Sequence, residues 1–188
     1  NLMAKLLPKG ALLFTGAFRR TELDKIPVKV WNTLFVVNDK GDIVTYYDKF
    51  HLVPFAEYIP FRNLIDALFG ENVMKTLTMS DDVSAGPPLQ SLSLPQGFPS
   101  CTSLICYEAI FPSAVINPTQ KRPEWMINIS NDGWYDNTFG PYQHLESARF
   151  RTIEEGIPLV RVANTGISAV FDAYGRSIGT LNLNEKGI

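Results

Sequence analysis

The chain has 188 residues, of which 45% are hydrophobic and 12% aromatic, and this composition excludes a disordered or fibrous protein. Its 17 lysines and arginines nearly balance 19 aspartates and glutamates, so no basic cluster points to nucleic acid as a partner. No apolar run approaches the roughly 18 residues of a membrane span. We therefore expect one globular domain over residues 1–188, soluble as given.

The first part of the chain predicts three strands. Residues 11–18 and 29–37 are apolar runs, and the second runs into the sequence NDKGD, which is typical of a hairpin turn. Residues 42–48 should then pair back antiparallel, because a tight turn joins them to the preceding strand. Lys49 would then lie directly after the end of the third strand.

A helix and a long connection follow. Residues 62–77 carry apolar side chains at helical spacing, interrupted by Gly70. Residues 80–100 are rich in Ser, Gly, Pro and Asp and favour a loop with one short hairpin around 94–97. Long loops inside compact domains are usually functional or mobile, so we treat residues 62–100 as a candidate lid.

The second half predicts a mixed sheet covered by helices. Residues 102–106 and 124–132 read as buried strands. Residues 143–155 form a helical pattern that stops at Gly156. Two further strands follow, the last of them part of a hairpin around Tyr174 and Gly175. Strands that alternate with helices and then pair as hairpins favour an α/β (α+β) fold.

Cys106 is the strongest candidate for a nucleophile. A lone cysteine on an apolar strand is more often a buried core residue. Here Tyr107 and Glu108 end the apolar run, which places Cys106 at the exit of the strand, where the backbone N–H of Tyr107 could face an oxyanion. Cys101 has no such surroundings and keeps the core interpretation. On one strand the two cysteines would face opposite sides, so we expect no disulfide.

Lys49 and Glu57 form a second candidate pair. A lysine at a strand end is usually a solvated charge. Lys49, however, precedes the apolar and aromatic segment HLVPFAEYIP, which would enclose its ammonium group and make burial costly without a partner. Glu57 is the nearest candidate partner. An ammonium group held in this way can stabilise negative charge that develops on a carbonyl oxygen.

Other polar residues give weaker signals. The chain has only two histidines, His51 and His144, without ligand spacing, so we expect no metal and no cofactor. A protease-like pairing of Cys106 with His51 is possible but weaker than the lysine interpretation. Asn131 and Trp134 lie in a tight turn after a buried strand, and we expect them, with His51, to line a pocket beside the nucleophile.

Several long segments resemble a known family. They are KFHLVPFAEYIP, ICYEAIFP and the run from NISNDGWYDNTFGPYQH to ANTGISAVFDAYGR, preceded by TGAFRR and VWNTLFVV. Together they cover nearly the whole chain. The chain resembles the nitrilase superfamily and, within it, the branch of bacterial apolipoprotein N-acyltransferases. A Cys-Tyr-Glu sequence would fit any nitrilase-like amidase, whereas the longer runs are specific to that branch.

The resemblance implies a nitrilase-like αββα sandwich and a Glu-Lys-Cys triad. Cys106 would take an acyl chain from a phospholipid as a thioester and pass it to the N-terminal amine of an apolipoprotein's diacylglyceryl-cysteine. Lys49 and the Tyr107 amide would stabilise the oxyanion, while Glu57 would position the lysine or the incoming nucleophile. Glu108 matches a further position needed around the cysteine. The family further implies a catalytic domain on the periplasmic side of the bacterial inner membrane.

One departure concerns the general base. The family's glutamate lies in a segment before the TGAFRR strand, and Glu22, the first glutamate here, does not match it. The family's membrane helices and its opening strand and helix have no counterpart either. We expect a partial catalytic domain that turns over poorly by itself and self-associates through uncovered surfaces. Two alternatives stay open: a soluble amidase or carbamoylase that hydrolyses a small amide, and a non-catalytic interaction module with the same fold.

Overall fold

The computed structural model describes residues 6–22, 28–69 and 82–187, and two sheets organise them. The first sheet contains β1 (Leu12–Arg20), β2 (Val30–Asn38) and β3 (Ile43–Asp48), in that order and antiparallel throughout. The predicted hairpin between β2 and β3 is confirmed, with Gly41 at a φ of 86° in its turn. This sheet brings the end of β3, and with it Lys49, to one side of the molecule.

The second sheet has six strands in chain order. They are β4 (Ser91–Leu92), β5 (Cys101–Ile105), β6 (Trp125–Asn131), β7 (Leu159–Asn164), β8 (Ser168–Phe171) and β9 (Ser177–Leu181). The three central strands β5, β6 and β7 are parallel, whereas the outer pairs are antiparallel. The carboxyl ends of parallel strands share one edge, which is where ligands bind in α/β sheets.

The hydrophobic core lies between the two sheets and continues beneath the main helix. Leu34 and Val36 of β2 are fully buried in one cluster with Leu104 of β5 and Met126 of β6. All five residues of β5 are buried. Ala148 on the main helix belongs to the same cluster. A strand covered on both faces does not alternate apolar and polar side chains with exposure, and in β5 the buried residues include the polar Thr102 and Ser103 as well as Leu104 and Ile105.

Two α-helices are present among the described residues: α1 (Arg62–Phe69) and α2 (Gly140–Glu155). Helix α2 begins three residues earlier than predicted, because Pro141 in its first turn is compatible with a helix start. It ends at Gly156, which has a left-handed φ of 61°, as the sequence predicted. None of the helices in the described residues has the length and apolarity that crossing a bilayer requires.

Two predicted boundaries need comment. The strand expected to run through Cys106 ends at Ile105, and Cys106 instead begins a 3₁₀ helix (Cys106–Ile110). The statement that both cysteines share one strand was therefore wrong, although both are free. The helix predicted over 62–77 is observed up to Phe69, and residues 70–81 of the candidate lid lie outside the described residues. One antiparallel and one mixed sheet together with helices agree with the predicted α/β (α+β) fold class.

Candidate active site

Cys106 lies directly beyond the carboxyl end of β5. Its φ of 52° is left-handed, a conformation uncommon for residues other than glycine. The residue is half-buried, whereas Cys101, at the start of the same strand, is completely buried. Burial raises the pKa of the Cys101 thiol to about 12, so that thiol stays protonated and inert at neutral pH. Cys106 is therefore the cysteine available for chemistry.

Lys49 is buried and paired with Glu57, as its sequence surroundings suggested. Its side chain is 2% exposed, and its Nζ lies 2.7 Å from Glu57 Oε2. The same oxygen accepts the backbone N–H of Val53 at 2.8 Å, and Oε1 accepts the side-chain amide of Asn32 at 3.2 Å. A carboxylate with three donors is held in one orientation, so Glu57 fixes the position of the lysine ammonium.

Glu108 connects the segment around Lys49 (residues 47–51) to the segment around Cys106 (residues 105–108). This fully buried carboxylate accepts the backbone N–H of Ile105 at 2.8 Å on one oxygen. On the other oxygen it accepts the hydroxyl of Tyr47 at 2.7 Å and the backbone N–H groups of Phe50 and His51 at 2.9 and 3.0 Å. Four hydrogen bonds thus hold the exit of β3 against the exit of β5. Burial raises the pKa of Glu108 despite these donors, and burial beside Glu108 likewise raises the pKa of Tyr47.

A second buried network lies beside Cys106. The ring Nδ1 of His144 is 2.9 Å from Asp132 Oδ1, and its Nε2 is 3.1 Å from the carbonyl oxygen of Cys106. Arg161 donates to Asp132 Oδ2 at 2.6 Å, and Ser130 donates to Asp132 Oδ1 at 2.7 Å. Burial alone would raise the pKa of Asp132, but His144 and the charge of Arg161 lower it to about 2.

The low pKa of Asp132 predicts an acid-sensitive contribution to stability. Because its pKa is 3.8 in the unfolded chain and about 2 in the folded chain, the carboxylate stabilises the fold by about 2 kcal/mol above pH 4. That stability is lost as the pH falls from about 4 to 2. Urea unfolding across this range should show the loss in the wild type and a flatter profile in Asp132→Asn. If wild type and Asp132→Asn lost the same stability over this pH range, the lowered pKa of Asp132 would not be the cause.

A cavity of about 650 Å³ opens beside the two segments. Its wall is mainly apolar, and it is formed by Phe50, His51, Leu52, Pro54, Tyr58, Asp82, Val83, Ala85, Tyr107 and Phe111. Tyr107 directly follows the candidate nucleophile in the sequence, but Cys106, Lys49 and Glu57 are not themselves among the residues that form this wall. Burial lowers the pKa of His51, and its Nδ1 is a buried atom without a hydrogen-bond partner in the described structure.

The two remaining predicted lining residues lie at the surface. The side chain of Asn131 is exposed and accepts the backbone N–H of Gly133 at 3.1 Å, which closes the predicted turn. Trp134 is 84% exposed. Between them Asp132 turns inward and is 1% exposed. Their place in the lining of a substrate pocket stays a prediction.

One group of side chains has metal-ligand chemistry. Single ligand atoms of Cys106, Asp132 and His144 lie within 4.8 Å of one another. Both ring nitrogens of His144 are engaged, and both Asp132 oxygens accept hydrogen bonds, one of them from the cationic Arg161. Because a second cation would have to displace these bonds beside a buried guanidinium, the arrangement fits a hydrogen-bond network rather than an ion.

Sequence reasoning missed the roles of Asp132, His144 and Arg161. His144 was considered only as a metal ligand, and Arg161 was part of a family-specific run without an assigned task. Arg161 is 1% exposed, which is exceptional for an arginine. Its place in the middle of the apolar strand LVRVA was the available signal, because a charge buried there requires a buried partner.

Comparisons with known proteins show the family to which this chain belongs. The family model described as carbon-nitrogen hydrolase matches residues 3–188. The apolipoprotein N-acyltransferases of Bradyrhizobium diazoefficiens and Rhodopseudomonas palustris are 45% and 43% identical to this chain over 99% of its residues. The chain spans 34% of the length of each of these relatives.

Two solved structures show the same fold at low sequence identity. The CN-hydrolase superfamily protein XC1258 from Xanthomonas campestris has a TM-score of 0.62 at 21% identity, over 94% of this chain and 60% of that one. A mutant of the Nesterenkonia amidase from the nitrilase superfamily has a TM-score of 0.63 at 19% identity, with the same coverage. These likenesses confirm the nitrilase-like fold. With the family model matching nearly every residue, this chain belongs to the carbon-nitrogen hydrolase family.

Proposed function

We propose that this chain is the catalytic part of an apolipoprotein N-acyltransferase. One observation carries the proposal: the free cysteine at the exit of β5 is followed by Tyr107, which lines an apolar cavity of about 650 Å³. That volume lies within the range of roughly 300–1,000 Å³ for ligand pockets, and an apolar wall suits a fatty acyl chain better than a small polar amide. The similarity to apolipoprotein N-acyltransferases supports the same conclusion.

In the first step the Cys106 sulfur attacks the ester carbonyl of a phospholipid and its thiol proton is removed. The C–S bond forms and the carbonyl oxygen becomes an oxyanion. As the oxyanion collapses to the thioester carbonyl, the ester C–O bond breaks, and the lysophospholipid leaves as an alcohol after it takes up that proton. Lys49 and the backbone N–H of Tyr107 stabilise the oxyanion. Glu57 keeps the lysine in place through their 2.7 Å contact. Glu108 does not take part in the reaction directly; its hydrogen bonds hold the segment after β3 against the end of β5.

In the second step the α-amino group of an apolipoprotein's diacylglyceryl-cysteine attacks the thioester. The C–N bond forms, the C–S bond breaks, and the amine loses a proton as the thiol is restored. None of the glutamates in these residues matches the family's general base. We infer that the complete protein supplies that base elsewhere, on the periplasmic side of a bacterial inner membrane. Because general-base assistance contributes roughly 10²–10⁴-fold, the 188-residue chain alone should turn over poorly.

The region 62–100 is the candidate lid over this cavity. Asp82, Val83 and Ala85 form part of the cavity wall. Arg62 at the start of α1 contacts Asp82 at 2.5 Å, so the first residue of the region lies next to a residue of the cavity wall. Leu64 and Leu68 on α1 are 59% and 67% exposed. An apolar outer surface of this kind suits contact with lipid, and the 69% exposed Phe18 on β1 is suited to self-association of the isolated chain.

A mass measurement tests the proposal. The complete protein is incubated with phospholipid vesicles without an acceptor, and the peptide that contains Cys106 is weighed. An acyl-sized mass increase is expected in the wild type and in Cys101→Ser but not in Cys106→Ala, since only Cys106 forms the thioester. Acylation that survives in Cys106→Ala would overturn the proposal. So would the absence of a thioester together with hydrolysis of small amides, which would favour the amidase alternative.

A further inference from the structure

His144 lies between the candidate nucleophile and a buried ion pair. The ring is 3% exposed. Its Nε2 lies 3.1 Å from the carbonyl oxygen of Cys106. A carbonyl oxygen only accepts hydrogen bonds, so Nε2 must carry the hydrogen in this contact. We propose that His144 is a positioning residue that holds the Cys106 peptide and thereby fixes the direction of the nucleophilic sulfur.

The backbone conformation of Cys106 requires hydrogen bonds that keep it in place. A left-handed φ of 52° is strained for a non-glycine residue and persists only where the surrounding structure enforces it. The backbone N–H of the preceding residue, Ile105, is fixed by Glu108. The hydrogen bond from His144 to the Cys106 carbonyl fixes the other side of the residue. The sulfur is thus presented by a strained backbone that is held at both ends.

His144 is itself anchored to three strands of the large sheet. Asp132, just after β6, holds its Nδ1 at 2.9 Å, and Arg161 on β7 holds Asp132 at 2.6 Å. Arg161 also donates to the side-chain oxygen of Asn128 on β6 and to the backbone oxygen of Ile167 at 3.3 Å. Asn128 donates in turn to the backbone of Leu104 on β5 at 3.0 Å. The ring position is therefore set by the sheet and not only by α2.

Gly166 shows how tightly this network is enclosed. A Cβ atom at position 166 would lie 2.4 Å from Asp132 Oδ2. Gly166→Ala would therefore displace the Asp132 side chain that contacts His144, since the three atoms nearest to the added Cβ all belong to Asp132. Gly179 offers a matched control because a Cβ atom there would meet nothing within 4 Å.

The burst of p-nitrophenolate released from p-nitrophenyl butyrate measures acylation of Cys106 directly in the complete protein. A displaced nucleophile costs up to about 10²-fold in rate, so His144→Ala should lower the acylation rate constant by about that factor while KM changes less than about threefold. His144→Gln, whose amide nitrogen can replace Nε2 as donor, should recover at least about tenfold. Gly166→Ala should resemble His144→Ala, and Gly179→Ala should resemble the wild type.

Loss of folding is separated from loss of positioning by a control in the same helix. Thr152 is buried in α2 and donates to the backbone of Arg149 at 2.7 Å, away from the cysteine. Thr152→Val should lower the melting temperature but leave the acylation rate of the folded protein unchanged. A folded His144→Ala protein that acylates within about threefold of the wild type would overturn the inference. His144→Gln that acylates no faster than His144→Ala would do the same.

This inference rests on the proposed function only in treating Cys106 as an acyl acceptor. The activated ester acylates a reactive cysteine whichever natural donor the enzyme uses. If wild-type protein reacts with the ester but not with phospholipid, the proposed acyl donor is wrong and the role of His144 still stands or falls by its own variants.

Discussion

Replacement of Lys49 with Met is expected to slow the acylation of Cys106 by about 10²–10³-fold, the usual effect of removing one donor to a developing oxyanion. Lys49 is 1% exposed, so no water molecule or neighbouring lysine can readily take over its role from solvent. Methionine keeps the length and apolar stem of the side chain but removes the charge. The burst of p-nitrophenolate released from p-nitrophenyl butyrate by the complete protein would give the rate constant for acylation directly.

Two further variants distinguish the oxyanion role from a general effect of charge. Lys40→Met removes an exposed lysine from the turn before the same strand and should leave the rate unchanged. Since Lys49→Met leaves the Glu57 carboxylate without its cation, Lys49→Met combined with Glu57→Gln should recover stability but not acylation. If Lys49→Met reacted as fast as the wild type, the proposed oxyanion role would be wrong.

Replacement of Arg161 with Met is expected to lower the free energy of unfolding by about 3–5 kcal/mol, which is the usual cost of breaking a buried ion pair by removing one partner. The side chains of Arg161 and Asp132 are both 0% exposed in their 2.6 Å contact. Burial lowers the pKa of Arg161, but the charge of Asp132 raises it and keeps the guanidinium protonated. Without the Arg161 guanidinium, the charged Asp132 carboxylate would remain in the interior without this partner. Urea denaturation at pH 7 measures the loss.

A second substitution checks the cause of that loss. Asp132→Asn in the Arg161→Met background removes the stranded charge, so the double variant should lose clearly less than the sum of the two single variants. Two independent losses that simply add, or a loss below about 1 kcal/mol for Arg161→Met, would show that the pair is not coupled in this way.

The strands and the candidate nucleophile could be predicted from the sequence because they depend on local patterns. The short segment TSLI, which ends in two apolar residues, indicates a strand, and Tyr107 and Glu108 after it mark the end of that strand. The pairing of Lys49 with Glu57 was also within reach, because only eight residues separate them and the intervening segment is apolar. The start of α2 was missed by three residues, and the available signal was Pro141, which lies in its first turn.

The network behind Cys106 could not be predicted in the same way. Asp132, His144 and Arg161 come from a turn, a helix and a strand, and nothing local relates them. Their contacts depend on the parallel order of β5, β6 and β7, which brings the ends of three strands to one edge. Likewise, Glu108 matched a family position from the sequence, but its contacts with Tyr47, Phe50 and His51 required both sheets to be in place.

The carboxylate of Glu108 has a consequence for the way substrates exchange. Because one buried group receives hydrogen bonds from the exits of strands in both sheets, the sheets cannot slide or hinge apart at that point without stranding it in an apolar interior. Entry of molecules into the cavity and their release would therefore depend on movement of the peripheral loops. Under the proposed function, the donor lipid and the acceptor would therefore bind one after the other to the same rigid arrangement of the two sheets.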